Sequence, residues 1–226
     1  MTCSANLKRA TAWLAALTAA IIAVFVVATP RIYPRLPIYL HSAMRVRAIL
    51  SQAKREFFAA VILGDSIVEH AEIPRDLCGI NTLNAGIGGA KISDIARFAP
   101  SILKAIHPQK IVIAIGINDA RTNDPTSVES FWQDYQRTLA TAREAGGKIY
   151  TATIAPISIV ATSYLDRARI DAFNEVIRSF GANVINFDRL ADTDGLLPPT
   201  MAFDGVHLRA SGYEAWRAAL AQGCKS

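Results

Sequence analysis

The sequence predicts an α/β protein whose parallel sheet is covered by helices on both faces. Of its 226 residues, 51% are hydrophobic, which is enough for one domain with a large core. Apolar, β-rich runs alternate with helical patterns, and this alternation is typical of parallel strands joined by helices. The runs lie at 59–63, 80–84, 110–115, 148–155 and 183–187, and the helical patterns at about 66–77, 92–106, 126–145, 164–180 and 210–222.

Five parallel strands with right-handed crossovers favour the flavodoxin-like strand order 2-1-3-4-5, which is a three-layer α/β/α sandwich. In this order the first strand lies between the second and the third. Ligands bind such sheets in the crevice at the carboxyl ends of the strands, where the order reverses. The residues that follow these strands are therefore the first candidates for a functional site.

An uncharged apolar stretch precedes the predicted domain. Residues 10–29 form a run of 20 residues without a charged side chain, long enough to cross a membrane as a helix. A cleaved signal peptide is the alternative, because Val26-Val27-Ala28 resembles a cleavage site. We expect an uncleaved membrane anchor, since the run exceeds the usual signal core. Residues 1–9 then form a flank, 30–56 a linker with a basic helix at 39–55, and 57–226 the folded domain.

The charge distribution argues against a nucleic-acid partner. Residues 1–56 contain eight Lys or Arg and one acid, so that 16 basic and 18 acidic residues remain in 57–226. The excess of basic residues is confined to the region around the apolar stretch, where it suits anionic lipid headgroups. Basic residues on both sides of that stretch leave its orientation in the membrane open.

Polar or glycine-rich blocks follow the predicted strands 1, 2, 3 and 5. They are "GDS" at 64–66, "NAGIGGAKI" at 84–92, "GIND" at 116–119 and "FDGVHL" at 203–208. Each block alone is also typical of a turn or a helix cap. Together, at one edge of one sheet, they predict an active site.

The residue types in these blocks suit acyl transfer. A serine hydroxyl such as that of Ser66 becomes a nucleophile when a base such as His207 accepts its proton. Asp204, three residues earlier, can orient the histidine ring. The backbone N–H groups of Ser66 and Gly89 and the side-chain amide of Asn118 are candidate donors to an oxyanion.

These blocks resemble the SGNH (GDSL-type) hydrolases, and the resemblance covers about residues 58–222. It implies a Ser66–His207–Asp204 triad and an oxyanion hole formed by Ser66, Gly89 and Asn118. Two positions depart from common forms of the pattern. Ile67 replaces leucine conservatively, and Ala90 stands where many members carry Asp or Glu, which matters little because the backbone N–H is the working group. No metal-binding or nucleotide-binding motif is present, so we expect no metal and no cofactor.

The resemblance leaves several functions open. We expect a serine esterase that removes small acyl groups from a carbohydrate or lipid, with residues 156–164 facing the substrate. Transfer of the acyl group to a cell-surface carbohydrate is one alternative, and a non-catalytic carbohydrate-binding domain is another. His70, four residues after Ser66, could compete as the base, but we expect its side chain to point away from the hydroxyl.

Two cysteines bear on the compartment. Cys78 follows the first helix of the predicted domain and Cys224 follows the last, so both should lie at the edge of the sheet opposite the site. The strand order also places these helices on the same face, which would allow a disulfide. Two unrelated buried thiols are the alternative. A disulfide would place the domain in an oxidising compartment, periplasmic or extracellular, whether anchored or secreted.

Overall fold

The computed structural model describes residues 36–181 and 183–225, together with Trp13 and Thr18. Its contacts divide the chain into two units, Met1–His41 and Ser42–Ser226, and the entire sheet lies in the second. Among the described residues, no helix combines the length and the apolar character needed to span a membrane. Apart from Trp13 and Thr18, the predicted anchor at 10–29 lies outside the described residues.

After a first helix, strands and helices alternate along the chain, as the sequence predicts. In chain order the elements are α1 (Leu36–Arg55), β1 (Ala60–Gly64), α2 (Ser66–His70), β2 (Thr82–Gly86), α3 (Ile92–Ile106), β3 (Lys110–Ala114), α4 (Val128–Glu144), β4 (Lys148–Ala152), α5 (Arg167–Ser179), β5 (Val184–Ile185) and α6 (Ala210–Lys225). Short 3₁₀ turns at Ile117–Ala120, Ile159–Ser163 and Asp188–Leu190 follow β3, β4 and β5.

The sheet has five parallel strands in the order β2-β1-β3-β4-β5, which confirms the predicted order. Every residue of β1 is buried, as expected for a central strand covered on both faces. Gly64 at the end of β1 is level with Gly86 of β2 and Ala114 of β3. Three carboxyl ends therefore open onto one crevice.

The helices form layers on both faces of the sheet. The helix α3 packs on α4, and α4 packs on α5, so these three cover one face. The helix α6 contacts β4 and β5. The right-handed crossover from β1 to β2 places α2 on the opposite face, because the strand order reverses after β2. The helix α6 lies on the same face as α2, since the hydroxyl of Tyr213 donates to the carbonyl of Ile67 at 3.0 Å.

The first helix after β1 is much shorter than the predicted 66–77. The helix α2 ends at His70, because Ala71 is already extended and Pro74 disfavours a helical conformation at Ile73. Predicted strands 2, 4 and 5 also differ: β2 begins two residues later, β4 ends at Ala152, and β5 has only two residues. Gly86 rather than Asn84 therefore ends β2, and the glycine-rich block begins within the strand.

The structure joins Cys78 and Cys224 as a disulfide, with a Cα–Cα distance of 5.0 Å. Both residues are fully buried. Lys110, the first residue of β3, donates from its Nζ to the carbonyl oxygens of Cys78 at 3.3 Å and Cys224 at 2.7 Å. The bond therefore lies at the amino end of the sheet, opposite the crevice.

Candidate active site

Ser66 lies at the first position of α2, directly after the end of β1. Asp65 caps this helix, since its Oδ1 accepts from the backbone N–H of Ile67 at 2.9 Å. The N–H of Ser66 is in the first helical turn, where backbone donors have no acceptor within the helix. The turn therefore presents both a hydroxyl and a backbone donor at the crevice.

The C-terminal block brings His207 to this hydroxyl. The Oγ of Ser66 and the Nε2 of His207 are 2.8 Å apart, and the Nδ1 of His207 is 2.6 Å from the Oδ2 of Asp204. A carboxylate that accepts from Nδ1–H leaves Nε2 able to accept a proton. The three side chains thus form a continuous hydrogen-bonded chain, in which His207 can take a proton from Ser66 while Asp204 orients its ring.

The carboxylate of Asp204 is held in its charged form. Burial opposes its ionisation, but hydrogen bonds from the His207 ring and from the backbone N–H groups of His207 and Val206 lower the pKa of Asp204 below its usual value. Its Oδ1 accepts those backbone bonds at 2.8 Å from His207 and 3.0 Å from Val206. The orientation of the carboxylate is therefore set by its own loop.

The other two predicted donors, Gly89 and Asn118, line the same cavity as Ser66 and His207. Gly89 has φ +73°, a left-handed conformation that favours glycine. Asn118 is buried, and its Nδ2 donates to the carbonyl of Ala90 at 3.0 Å. That bond uses one of the two amide hydrogens. A nucleophile, a proton acceptor and N–H donors around one cavity can carry out acyl transfer.

The cavity measures about 410 Å³, and its wall includes Tyr164 and also Arg121, which the sequence did not single out. The hydroxyl of Tyr164 donates to the carbonyl of Asp204 at 3.0 Å, and the guanidinium of Arg121 lies 5.9 Å from the centre of the Tyr164 ring. Tyr164 belongs to the segment 156–164 that was predicted to face the substrate. Arg121 could have been found from its position just after the "GIND" block.

His70 lies nearer the site than predicted. Its ring centre is 5.6 Å from that of His207, although the sequence suggested that the side chain would point away from the site. Residues four apart lie on the same face of a helix, so His70 follows Ser66 toward the crevice. His207, rather than His70, makes the 2.8 Å contact with the Ser66 hydroxyl.

Two buried carboxyl groups next to the site were not predicted as titrating groups. Burial is the main cause that raises the pKa of Asp65 and of Asp119, each to about 7. The Oδ2 of Asp119 accepts from the N–H of Ile92 at 3.1 Å, whereas its Oδ1 has no hydrogen-bond partner. In the sequence, both residues occupy positions typical of a helix cap. Their raised pKa values become evident only from their burial in the structure.

A family model described as "GDSL-like Lipase/Acylhydrolase family" matches residues 62–215. The chain belongs to the GDSL-like lipase/acylhydrolase family. It is therefore a carboxylic ester hydrolase. A search of curated protein sequences found no match to it.

Solved structures show the same fold. One is a protein from Streptococcus pneumonia whose structure is described as that of a platelet activating factor. It aligns with a TM-score of 0.73 and 21% sequence identity, over 87% of this chain and 99% of that one. A GDSL-like lipase from Bacteroides thetaiotaomicron aligns with a TM-score of 0.67 and 18% sequence identity, over 80% of this chain and 97% of that one. An acetylxylan esterase from Geobacillus stearothermophilus aligns with a TM-score of 0.59 and 19% sequence identity, over 73% of this chain and 93% of that one. The chain thus shares its fold with these three proteins.

Proposed function

We propose that this GDSL-like acylhydrolase is a serine esterase that removes small acyl groups, with Ser66, His207 and Asp204 as its catalytic triad. The observation that carries the proposal is the chain of contacts from the Ser66 Oγ through the His207 ring to Asp204, at 2.8 and 2.6 Å. These distances suit proton transfer without rearrangement of the site.

The reaction would proceed in two steps. The Oγ of Ser66 attacks the ester carbonyl carbon while Nε2 of His207 takes the hydroxyl proton. That proton then passes to the departing alcohol, and an acyl-enzyme remains on Ser66. A water molecule, deprotonated by His207, attacks the acyl carbon, and the proton returns to the Ser66 Oγ as the acid leaves. The N–H groups of Ser66, Gly89 and Asn118 would stabilise the oxyanion in both steps.

Several features support a small acyl group. The cavity measures about 410 Å³, and Ile117, Leu165 and Val206 supply its apolar walls. One of the compared folds belongs to an acetylxylan esterase, so acetylated carbohydrate is the first substrate class to test. Lipid esters with a short acyl chain are a second class.

The experiment measures hydrolysis of p-nitrophenyl esters of graded chain length by the purified full-length protein. We expect kcat/KM to be highest for acetyl or propionyl esters and to fall with longer chains. A serine-directed phosphonate should label Ser66 and no other residue in peptide mass mapping. Labelling of a different residue, or a maximum at long chains, would contradict the proposal.

We also propose that the domain functions on the periplasmic or extracellular side, anchored through residues 10–29. The 20-residue uncharged stretch supports an anchor, and the Cys78–Cys224 bond supports an oxidising compartment. The test is mass spectrometry of non-reduced peptides from native membranes. Free thiols at both positions would argue against this location, and recovery of a chain that begins after 29 would indicate secretion after cleavage.

A further inference from the structure

Arg45 lies on α1, before the part of the chain that matches the family, 62–215. It nevertheless reaches the end of β2. Its Nε donates to the carbonyl of Gly86 at 2.8 Å, and its Nη2 donates to the carbonyl of Asn84 at 3.1 Å. The same Nη2 lies 3.3 Å from the Oδ1 of Asn84, which accepts from the N–H of Gly86. Arg45 thus contacts the start of the glycine-rich block.

Arg45 also pairs with Glu69, three residues after Ser66 on α2. The Nε of Arg45 is 3.8 Å from the Oε1 of Glu69, and the two side chains are only 21% and 15% exposed. The other carboxylate oxygen of Glu69 accepts from the backbone N–H of Gly88. One arginine therefore holds Gly86 directly and Gly88 through Glu69.

Gly89 is held on its other side as well. The carbonyl of Ala90 accepts from the Nδ2 of Asn118, and the N–H of Ala90 donates to the carbonyl of Ile87. Gly89 itself has a left-handed backbone. The direction of its N–H therefore depends on the contacts that hold the loop on both sides of it. Loss of the contacts at Gly86 and Gly88 would free one side of this loop.

We propose that Arg45 is a positioning residue for the oxyanion hole, and that it holds the N–H of Gly89 in place through Gly86 and through Glu69 and Gly88. This inference rests on the proposed function, in which the Gly89 N–H stabilises the oxyanion. Arginine suits the task because its planar guanidinium can bond several acceptors in a fixed geometry, whereas a lysine ammonium acts as a single point charge. The helix α1 is then part of the catalytic unit.

The experiment compares Arg45→Met, Arg45→Lys and Glu69→Gln in the full-length protein with p-nitrophenyl acetate as substrate. Arg47→Met is the matched control, because Arg47 lies two residues along the same helix and is exposed. Titration with the serine-directed phosphonate counts the active sites in each preparation. Rates are expressed per titrated site, which separates loss of folded protein from loss of catalysis.

For Arg45→Met we expect kcat per site to fall about tenfold with KM within about twofold, less than the ~10²–10³ for complete loss of a donor. The kcat per site of Arg45→Lys should fall about threefold, and that of Arg47→Met should equal the wild-type value. Combining Arg45→Met with Glu69→Gln should lower kcat little beyond the larger single effect, because both act on the same loop.

An Arg45→Met protein with the kcat per site of Arg47→Met would overturn the inference, as would a change in KM alone. If Arg45→Met yields no titratable sites, Arg45→Lys and Glu69→Gln decide by the same measure. Failure of the proposed function itself has a different signature, namely that the phosphonate does not label Ser66 in the wild-type protein.

Discussion

The two ends of the five-stranded sheet differ in the kinds of buried groups that they hold. At the carboxyl end, Asp65 and Asp119 are buried carboxyl groups with raised pKa values, and Asp65 directly precedes Ser66. At the amino end, a disulfide joins the turn before β2 to the end of α6, and Lys110 donates to both cysteine carbonyls. Substitutions at the carboxyl end should therefore change activity or the pH dependence of stability, and substitutions at the amino end should change stability without changing activity.

The largest effect on activity is expected from Ser66→Ala. Removal of the proposed nucleophile should lower kcat/KM by at least ~10³. The thermal midpoint should change little, because a single side-chain hydrogen bond, from the hydroxyl to the His207 ring, is lost. The measurement is hydrolysis of p-nitrophenyl acetate together with thermal unfolding. Ser101→Ala, an exposed serine on α3, is the control and should retain full activity. Substantial residual activity in Ser66→Ala would mean that another group is the nucleophile.

Asn118→Ala should lower kcat by about 10²–10³ and leave KM within a few-fold, since the amide would meet a charge that develops only in the transition state. Steady-state kinetics separate the two constants. Asn183→Ala provides the control at the other end of the sheet, because Asn183 also donates to a backbone carbonyl, that of Ile149 at 3.1 Å. A change in KM alone for Asn118→Ala would instead make it a substrate-binding residue.

Replacement of both Cys78 and Cys224 by serine should lower the free energy of unfolding by about 2–5 kcal/mol. The bond spans 146 residues, and loss of so long a crosslink increases the conformational entropy of the unfolded chain. Urea unfolding at 25 °C measures the change. Under conditions that keep the variant folded, kcat per active site should equal that of the wild type. A loss of kcat in the folded variant would show that the two ends of the sheet are coupled.

The smallest predicted effect concerns the pH dependence of stability. The folded-state pKa of Asp119 is raised to about 7 from the usual 3.8, so between these values the folded state retains a proton that the unfolded state releases. Stability therefore falls as pH rises from about 4 to about 7. Between pH 5 and pH 8, the free energy of unfolding of Asp119→Asn should increase by about 1–2 kcal/mol relative to that of the wild type. This is less than the full pKa shift would give at 1.36 kcal/mol per pKa unit.

Thermal unfolding across this pH range checks the prediction, with Asp76→Asn at the amino end as an exposed control. Asp65 still titrates in the Asp119 variant, so the pH dependence should decrease without disappearing. If the thermal midpoints of the wild type and Asp119→Asn change equally from pH 5 to pH 8, then Asp119 does not bind a proton on folding.

Much of the fold could be predicted because its signals are local. The apolar runs at 59–63 and 110–115 predict the central strands β1 and β3 to within one residue at each end. The sequence also placed the start of α2 at Ser66 and both ends of α3 correctly. Errors occurred where the local pattern is ambiguous, as at the end of α2 before Pro74. The juxtaposition of Ser66, Asp204 and His207 followed from the strand order, since parallel strands with these connections place their carboxyl ends together.

By itself, the sequence determined the alternation of strands and helices, the family and the residue types available for acyl transfer. Tertiary structure alone decided which groups are buried and which distant side chains meet. Arg45 became a neighbour of Gly86 and Glu69, and Asp119 acquired a raised pKa, with nothing in their local sequence to indicate it. The physical reason is that hydrophobic patterns act within an element, whereas desolvation and hydrogen bonding depend on everything that packs around a group.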